Sequence, residues 1–181
     1  MNFEHKSVMV GEVLNALNVK PDGIYLDCTL GGGGHAKAVA NLLDERGMII
    51  GLDQDEEDVE AAKKNLSGAA CNVKIFRENF CRLEKILDDL GVKKIDGVLF
   101  DLGVSSHQID TAERGFSYTK DSSLDMRMDR RKNFSAHDVI NRYDENNLIK
   151  IFREYGEEKF SKLIASAVCR ARKISPIETT G

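Results

Sequence analysis

Four consecutive glycines, Gly31–Gly34, stand between the apolar run Ile24-Tyr25-Leu26-Asp27-Cys28 and a helical stretch from about His35 to Asp44. Glycine lets a chain turn sharply and brings its backbone close to a ligand, so a strand running through glycines into a helix opens a βαβ unit. The alternation continues. Met48–Asp53 predicts a second strand, Asp55–Leu66 a helix with acids in its first turn, Val73–Arg77 a third strand, Phe80–Leu90 a helix stopped by Gly91, and Ile95–Phe100 a fourth strand ending at Asp101. Apolar residues at Val10, Val13, Leu14 and Leu17 predict a helix within Ser7–Leu17, before the first strand. The fold class is therefore α/β, a doubly wound, Rossmann-like parallel sheet with helices on both faces.

The character changes after Asp101. Residues 102–134 read as loop, and helical patterns follow over 136–143, 145–155 and 157–172, with Ser175-Pro176 as the entry to another segment. Two domains are expected, 1–104 with the sheet and 105–181 helical. The fourth strand is almost continuously apolar, which predicts cover on both faces. No strand is expected downstream to pair with it, so either helices cover its edge or the chain is the front part of a longer protein; the second is preferred.

Composition narrows the class. The chain is 41% hydrophobic and 31% charged, which supports a packed core, and no apolar run approaches the roughly 20 residues of a membrane span. The segment Met1–Leu14 lacks a signal-peptide apolar block, so a cytoplasmic location is expected. Cys28, Cys71, Cys81 and Cys169 form no C-x-x-C pair and are expected to be buried, reduced thiols. His35, His107 and His137 lack metal-ligand spacing, so no metal is expected. Residues 1–100 carry 12 Lys and Arg against 17 Asp and Glu, whereas 127–181 carry 12 against 8. A polyanion would suit the C-terminal part, and Arg127, Arg130, Arg131 and Lys132 are the candidate cluster, balanced against a plain solvated run.

The glycine turn is followed at Asp53 by a strand-end carboxylate, 20 residues past Gly33. That order suits a nucleotide site with Asp53 on the ribose hydroxyls. Three strand-end acids, Asp27, Asp53 and Asp101, surround the expected pocket and favour a cationic ligand over a pyrophosphate. S-adenosylmethionine fits, and a dinucleotide stays open because Gly31–Ala36 still satisfies the permissive fingerprint. Walker A and G-x-S-x-G motifs are absent.

Four blocks carry a more specific likeness: Asp27-x-Thr29-x-Gly31-x-Gly33-Gly34-His35, Asp101-Leu102-Gly103-Val104-Ser105-Ser106-x-Gln108, Ala112–Ser117 and Leu124–Asp129, with Tyr155–Phe160 in support. In this order they resemble the bacterial ribosomal RNA small-subunit methyltransferase H family. The resemblance implies a class I methyltransferase sheet, incomplete here, with a helical inserted substrate-recognition domain. It implies transfer of methyl from S-adenosylmethionine to the exocyclic N4 of a cytosine in 16S rRNA of the small ribosomal subunit, near the decoding centre. Gly33, Gly34 and His35 would line the cofactor, Asp53 would hold its ribose, Phe80 would lie beside the adenine, and Asp101 and Gln108 would make further contacts. Asp101 is the candidate catalytic acceptor, Ser105 a weaker one, and a rival reading keeps Asp101 on the cofactor alone. Phe116 and Tyr118 are candidate stacking platforms for the base. A non-catalytic RNA-binding or assembly fragment and, less favoured, a nicotinamide-dependent oxidoreductase are the alternatives. The oligomeric state is not legible.

Overall fold

A computed structural model describes residues 7–181; Met1–Lys6, the start of the Met1–Leu14 segment, lie outside the described residues. Two compact units divide between Ser105 and Ser106.

The first unit is built on strands β1 (Ile24–Asp27), β2 (Met48–Asp53), β3 (Asn72–Arg77) and β4 (Gly97–Leu99), all parallel in the order β3-β2-β1-β4. Helices α1 (Val10–Leu17), α2 (Gly34–Ala40), α3 (Glu56–Leu66) and α4 (Leu83–Asp89) complete it. Side chains of a strand alternate between faces, and the core follows that period. Tyr25, Ile49 and Val73 pack with Leu14, Leu17, Ala36, Val39, Ala62 and Leu66 on one face. Leu26, Ile50, Leu52 and Phe76 pack with Leu83, Ile86 and Leu87 of α4 on the other. β2 and β3 lie to one side of β1 and β4 to the other, so the chain reverses its winding between β1 and β4. In open α/β sheets a ligand crevice forms at that switch point, at the carboxyl ends of the strands.

Two elements of the first unit differ from expectation. α2 ends at Ala40 rather than Asp44, because Leu42 and Leu43 donate in tight turns to Val39 and Ala40, which swings Leu43 into the core. β4 begins at Gly97, because Asp96 uses its carboxylate on Ile24 N and Lys20 Nζ. As expected of an incomplete sheet, β4 pairs with β1 alone among the described strands, and Val98 and Phe100 stay 42% and 46% exposed. The thiols differ too. Cys28 and Cys71 are buried and free, but Cys81 is exposed and Cys169 half-buried.

The second unit contains α5 (Ser106–Asp110), a 3-10 turn over Ala112–Arg114, α6 (Ala136–Arg142), α7 (Glu145–Glu154) and α8 (Ser161–Ala171). The sequence pattern does not reveal α5 or the 3-10 turn. α8 starts four residues later than predicted, because Glu157 adopts φ 51° and Glu158 turns back to accept from Phe160 N. After Pro176 the chain returns beside Ser122–Leu124: Leu124 N donates to Glu178 O, Thr180 N donates to Ser122 O, and Asn141 exchanges two hydrogen bonds with the Ile177 backbone. Among the described residues no helix is long and apolar enough to cross a membrane.

Candidate cofactor site

The glycine turn is held from several sides. Leu30 N donates to Leu52 O, Gly31 N to Asp53 Oδ2 at 2.8 Å, and Asn65 Nδ2 to Gly32 O. Gly31 and Gly33 both sit in the left-handed region, at φ 49° and 82°. A Cβ on Gly33 would also come within 3.2 Å of Ala62 Cα and Cβ on α3, so glycine is required there by conformation and by packing. Gly33→Ala is expected to cost about 2–3 kcal/mol, seen as a melting temperature lowered by roughly 4–10 °C. Gly32 has nothing within 4 Å and no positive φ, so Gly32→Ala should change little. Equal losses in the two variants would contradict this reading of the turn.

Asp53 does not stand free for a ligand. Oδ2 holds Gly31 N and Oδ1 holds Asp55 N at 3.0 Å, so it shapes the turn first. Each carboxylate oxygen can accept a second hydrogen bond, and Asp53 stays half-buried rather than sealed. Burial pushes its carboxyl above the ordinary value, while these backbone donors oppose the rise.

Asp27, at the end of β1, is 5% exposed. Its Oδ1 accepts from Thr29 N at 3.2 Å, but its Oδ2 is buried with no hydrogen-bond partner among the described residues. Desolvation dominates and raises its carboxyl from 3.8 to about 6, the Thr29 N–H and His35 oppose the rise, and Asp53 and Asp101 add repulsion. Asp27 therefore feels the charges of both Asp53 and Asp101.

The turns after β1 and β4 are tied together at the switch point. Cys28 N donates to Leu99 O, and Asp101 N donates to Thr29 Oγ1 at 2.7 Å. The Asp101 side chain is left half-exposed, with Oδ2 4.0 Å from His35 Nδ1, too far for a hydrogen bond. The buried His35 ring places Nε2 2.8 Å from Val8 O. A ring nitrogen facing a carbonyl must donate, so Nε2 carries a proton and Nδ1 is the atom turned towards Asp101.

Phe80 follows Asn79, whose side chain caps Cys81 N and donates to Gln54 Oε1 beyond β2. Phe80 meets Phe100 edge to face, with ring centroids 5.6 Å apart at 86°. Both rings remain partly exposed, giving an apolar wall beside the acids. The first unit thus contains Gly33, Gly34, His35, Asp53, Phe80 and Asp101. Gln108 lies in the second unit, on α5, and is 2% exposed. Sequence reasoning missed the Val8 carbonyl, the Thr29 hydroxyl and Phe100. Only Phe100 had a visible signal, an aromatic directly before the strand-end acid. Among the described residues no three His, Cys, Asp or Glu side chains are placed to share a metal ion.

A family model, the MraW methylase family, matches residues 2–181. The chain belongs to that family. Among curated relatives of this MraW-family chain, a ribosomal RNA small subunit methyltransferase H from Clostridium botulinum (strain Loch Maree / Type A3) is 51% identical over 181 residues. That span covers 100% of this chain and 58% of the relative. A protein of the same name from Brevibacillus brevis is 48% identical over the same shares. The MraW-family chain therefore spans a little over half the length of the curated relatives it matches. A solved structure of a putative rRNA-methylase from Clostridium thermocellum overlays 58% of each chain at 20% identity with a TM-score of 0.48.

Corrections fall on the basic cluster. Arg127 forks onto Asp125 through Nε at 2.6 Å and Nη2 at 2.9 Å, and donates through Nη1 to Lys132 O. Arg131 forks onto Asp129 in the same way. Two of the four expected phosphate contacts are thus engaged inside the loop, because each arginine follows its acid by two residues. Tyr118 is 86% exposed and Phe116 half-buried.

Proposed function

We propose that the chain carries the S-adenosylmethionine site of an RNA methyltransferase that methylates the exocyclic N4 of a cytosine in 16S rRNA near the decoding centre. The observation that supports this most is Asp27, a buried carboxyl directly before the glycine turn, whose Oδ2 has no partner among the described residues and which feels the charges of Asp53 and Asp101. An isolated buried charge is costly, and a cationic ligand relieves it while a pyrophosphate aggravates it. A sulfonium- and ammonium-bearing cofactor therefore fits the residues present, and a nicotinamide dinucleotide fits them poorly. The family membership and the names of the relatives agree with this reading.

When bound, S-adenosylmethionine supplies an electrophilic methyl group. The chain's residues do the rest. Asp27 accepts from the positive end of the cofactor, Asp53 offers its remaining lone pairs to the ribose hydroxyls, and the Phe80–Phe100 wall receives the adenine. Gly33, Gly34 and His35 line the turn, and Gln108 is the further contact that the resemblance implies. The cytosine N4 lone pair is delocalised and weakly nucleophilic, so positioning contributes much of the rate. Asp101, half-exposed at the switch point, accepts the N4–H hydrogen bond as positive charge builds on that nitrogen.

The test is Asp101→Asn. Methyl transfer to 16S rRNA should fall by roughly 100-fold or more, within the range for a lost acceptor, with cofactor affinity changed far less. Normal turnover would leave Asp101 as a cofactor contact only.

A further inference from the structure

The 19 residues Lys159–Ile177 hold five Lys and Arg and no Asp or Glu, in a chain of net charge −4. α8 occupies most of this stretch. The helical repeat puts Lys162, Ser166 and Arg170 on one face of α8, Lys173 follows two residues past the helix end, and Lys162, Arg170 and Lys173 are exposed. Among the described residues none of these three, nor Lys159, is ion-paired with an acid; Arg170 leans back only on Ser166 Oγ at 3.0 Å. Arg172 faces the other way and donates to the Ile140 and Tyr143 carbonyls at the end of α6. Exposed apolar groups flank the stripe: Phe160 is 65% exposed, Leu163 68% and Ile174 91%, and Tyr155 just before it is 78% exposed.

We propose that this face of α8 is where the second unit grips the phosphate backbone of its single-stranded RNA. The proposal rests on the rRNA reading above and assigns it a surface. Cations along about 12 Å of helix, with Lys173 just past its end, match a row of phosphates, and the exposed Phe160 and Tyr155 rings offer stacking for unpaired bases. The Arg127 and Arg131 cluster that the sequence singles out cannot serve equally, because those guanidiniums already hold Asp125 and Asp129.

The experiment is a fluorescence-anisotropy titration of a labelled single-stranded 16S rRNA fragment between about 50 and 200 mM salt. Lys162→Gln, Arg170→Gln and Lys173→Gln together should reduce the slope of log K against log salt by about 2, and weaken binding by roughly tenfold at the low-salt end. The side chains are exposed, so the melting temperature and S-adenosylmethionine affinity should stay unchanged. The pair Lys93→Gln and Lys94→Gln, exposed on the first unit, should leave the slope intact. RNA bound by the triple variant with the original slope overturns the α8 surface alone. An unaltered chain that binds the cofactor but no RNA, or that prefers phosphatidylserine vesicles to RNA, overturns the rRNA reading and this surface together.

Discussion

Replacing Asp27 with asparagine is expected to make the chain more stable and a poorer binder of S-adenosylmethionine at the same time. The folded chain holds the Asp27 proton more tightly than the unfolded chain, since its carboxyl is raised from 3.8 to about 6. For this group stability is greatest below the unfolded value, falls as pH rises from about 4 to 6, and stays reduced above that. The cost at neutral pH is about 2–3 kcal/mol. The amide of the Asp27→Asn variant keeps an oxygen to accept from Thr29 N and removes the buried charge. The ligand-free melting temperature at pH 7.5 should therefore rise by roughly 4–8 °C for a chain of this size. Cofactor affinity should move the other way. The unaltered chain should bind best above pH 6, where Asp27 is ionised, and lose affinity as pH falls towards 5. The variant should bind at least about tenfold more weakly and lose that pH dependence, because the missing charge-assisted contact is worth about 1.5–3 kcal/mol. Calorimetric titrations at pH 5.0 and 7.5 separate the two chains. A variant that melts lower and binds normally would show that Asp27 is a structural acid, not a ligand acid.

The second large effect belongs to Arg114, which is 1% exposed in the loop-rich part of the second unit. Its Nη2 donates to Arg127 O at 2.9 Å and reaches Met128 O at 3.4 Å, while its own carbonyl accepts from Met126 N. Gly115 follows at φ 70°, and a Cβ there would come within 2.5 Å of Ser123 O, so the turn that delivers Arg114 tolerates only glycine. The chain at Arg127–Met128 therefore rests on one guanidinium, and the Asp125–Arg127 and Asp129–Arg131 ion pairs lie on either side of that contact in sequence. Arg114→Met keeps much of the bulk and strips carbonyls of a buried donor. The expected loss is about 3–5 kcal/mol, which should expose residues 112–134 to limited proteolysis while the first unit still binds cofactor. Lys132→Ala, on an exposed side chain of the same loop, should leave cleavage unchanged. Similar protease resistance in all three chains would mean that the loop is held by something other than Arg114.

The sheet was readable because its strands are short apolar runs that alternate with helical patterns, with the glycine turn and Gly91 as breakers. Tyr25 and Leu26 point to opposite cores, and the same parity recurs at Ile49 and Ile50. The acid ring was readable because strand-end carboxylates in a parallel sheet converge on the same edge. What Asp27 does with its second oxygen was not, since an unpaired atom is a property of the surrounding packing. The apolar run at 95–100 was informative: it asks for cover on both faces, and the exposed Val98 and Phe100 agree with the expected incomplete sheet. Arg127 and Arg131 misled because a charge run looks alike whether its acids two residues back are forked or solvated. α8 had a modest signal, its long acid-free stretch, but only the fold shows which of its cations face outward and which, like Arg172, cap another helix.

The central claim is that the glycine turn and its three acids form a site for a cationic adenosine cofactor. Calorimetric titration of the unaltered chain with S-adenosylmethionine and, separately, NAD at pH 7.5 tests it most directly. Saturable one-to-one binding of S-adenosylmethionine that weakens as pH falls below 6 is expected, with NAD at least about tenfold weaker on charge grounds. Tighter binding of NAD, or S-adenosylmethionine affinity that is flat from pH 5 to 7.5, would contradict it.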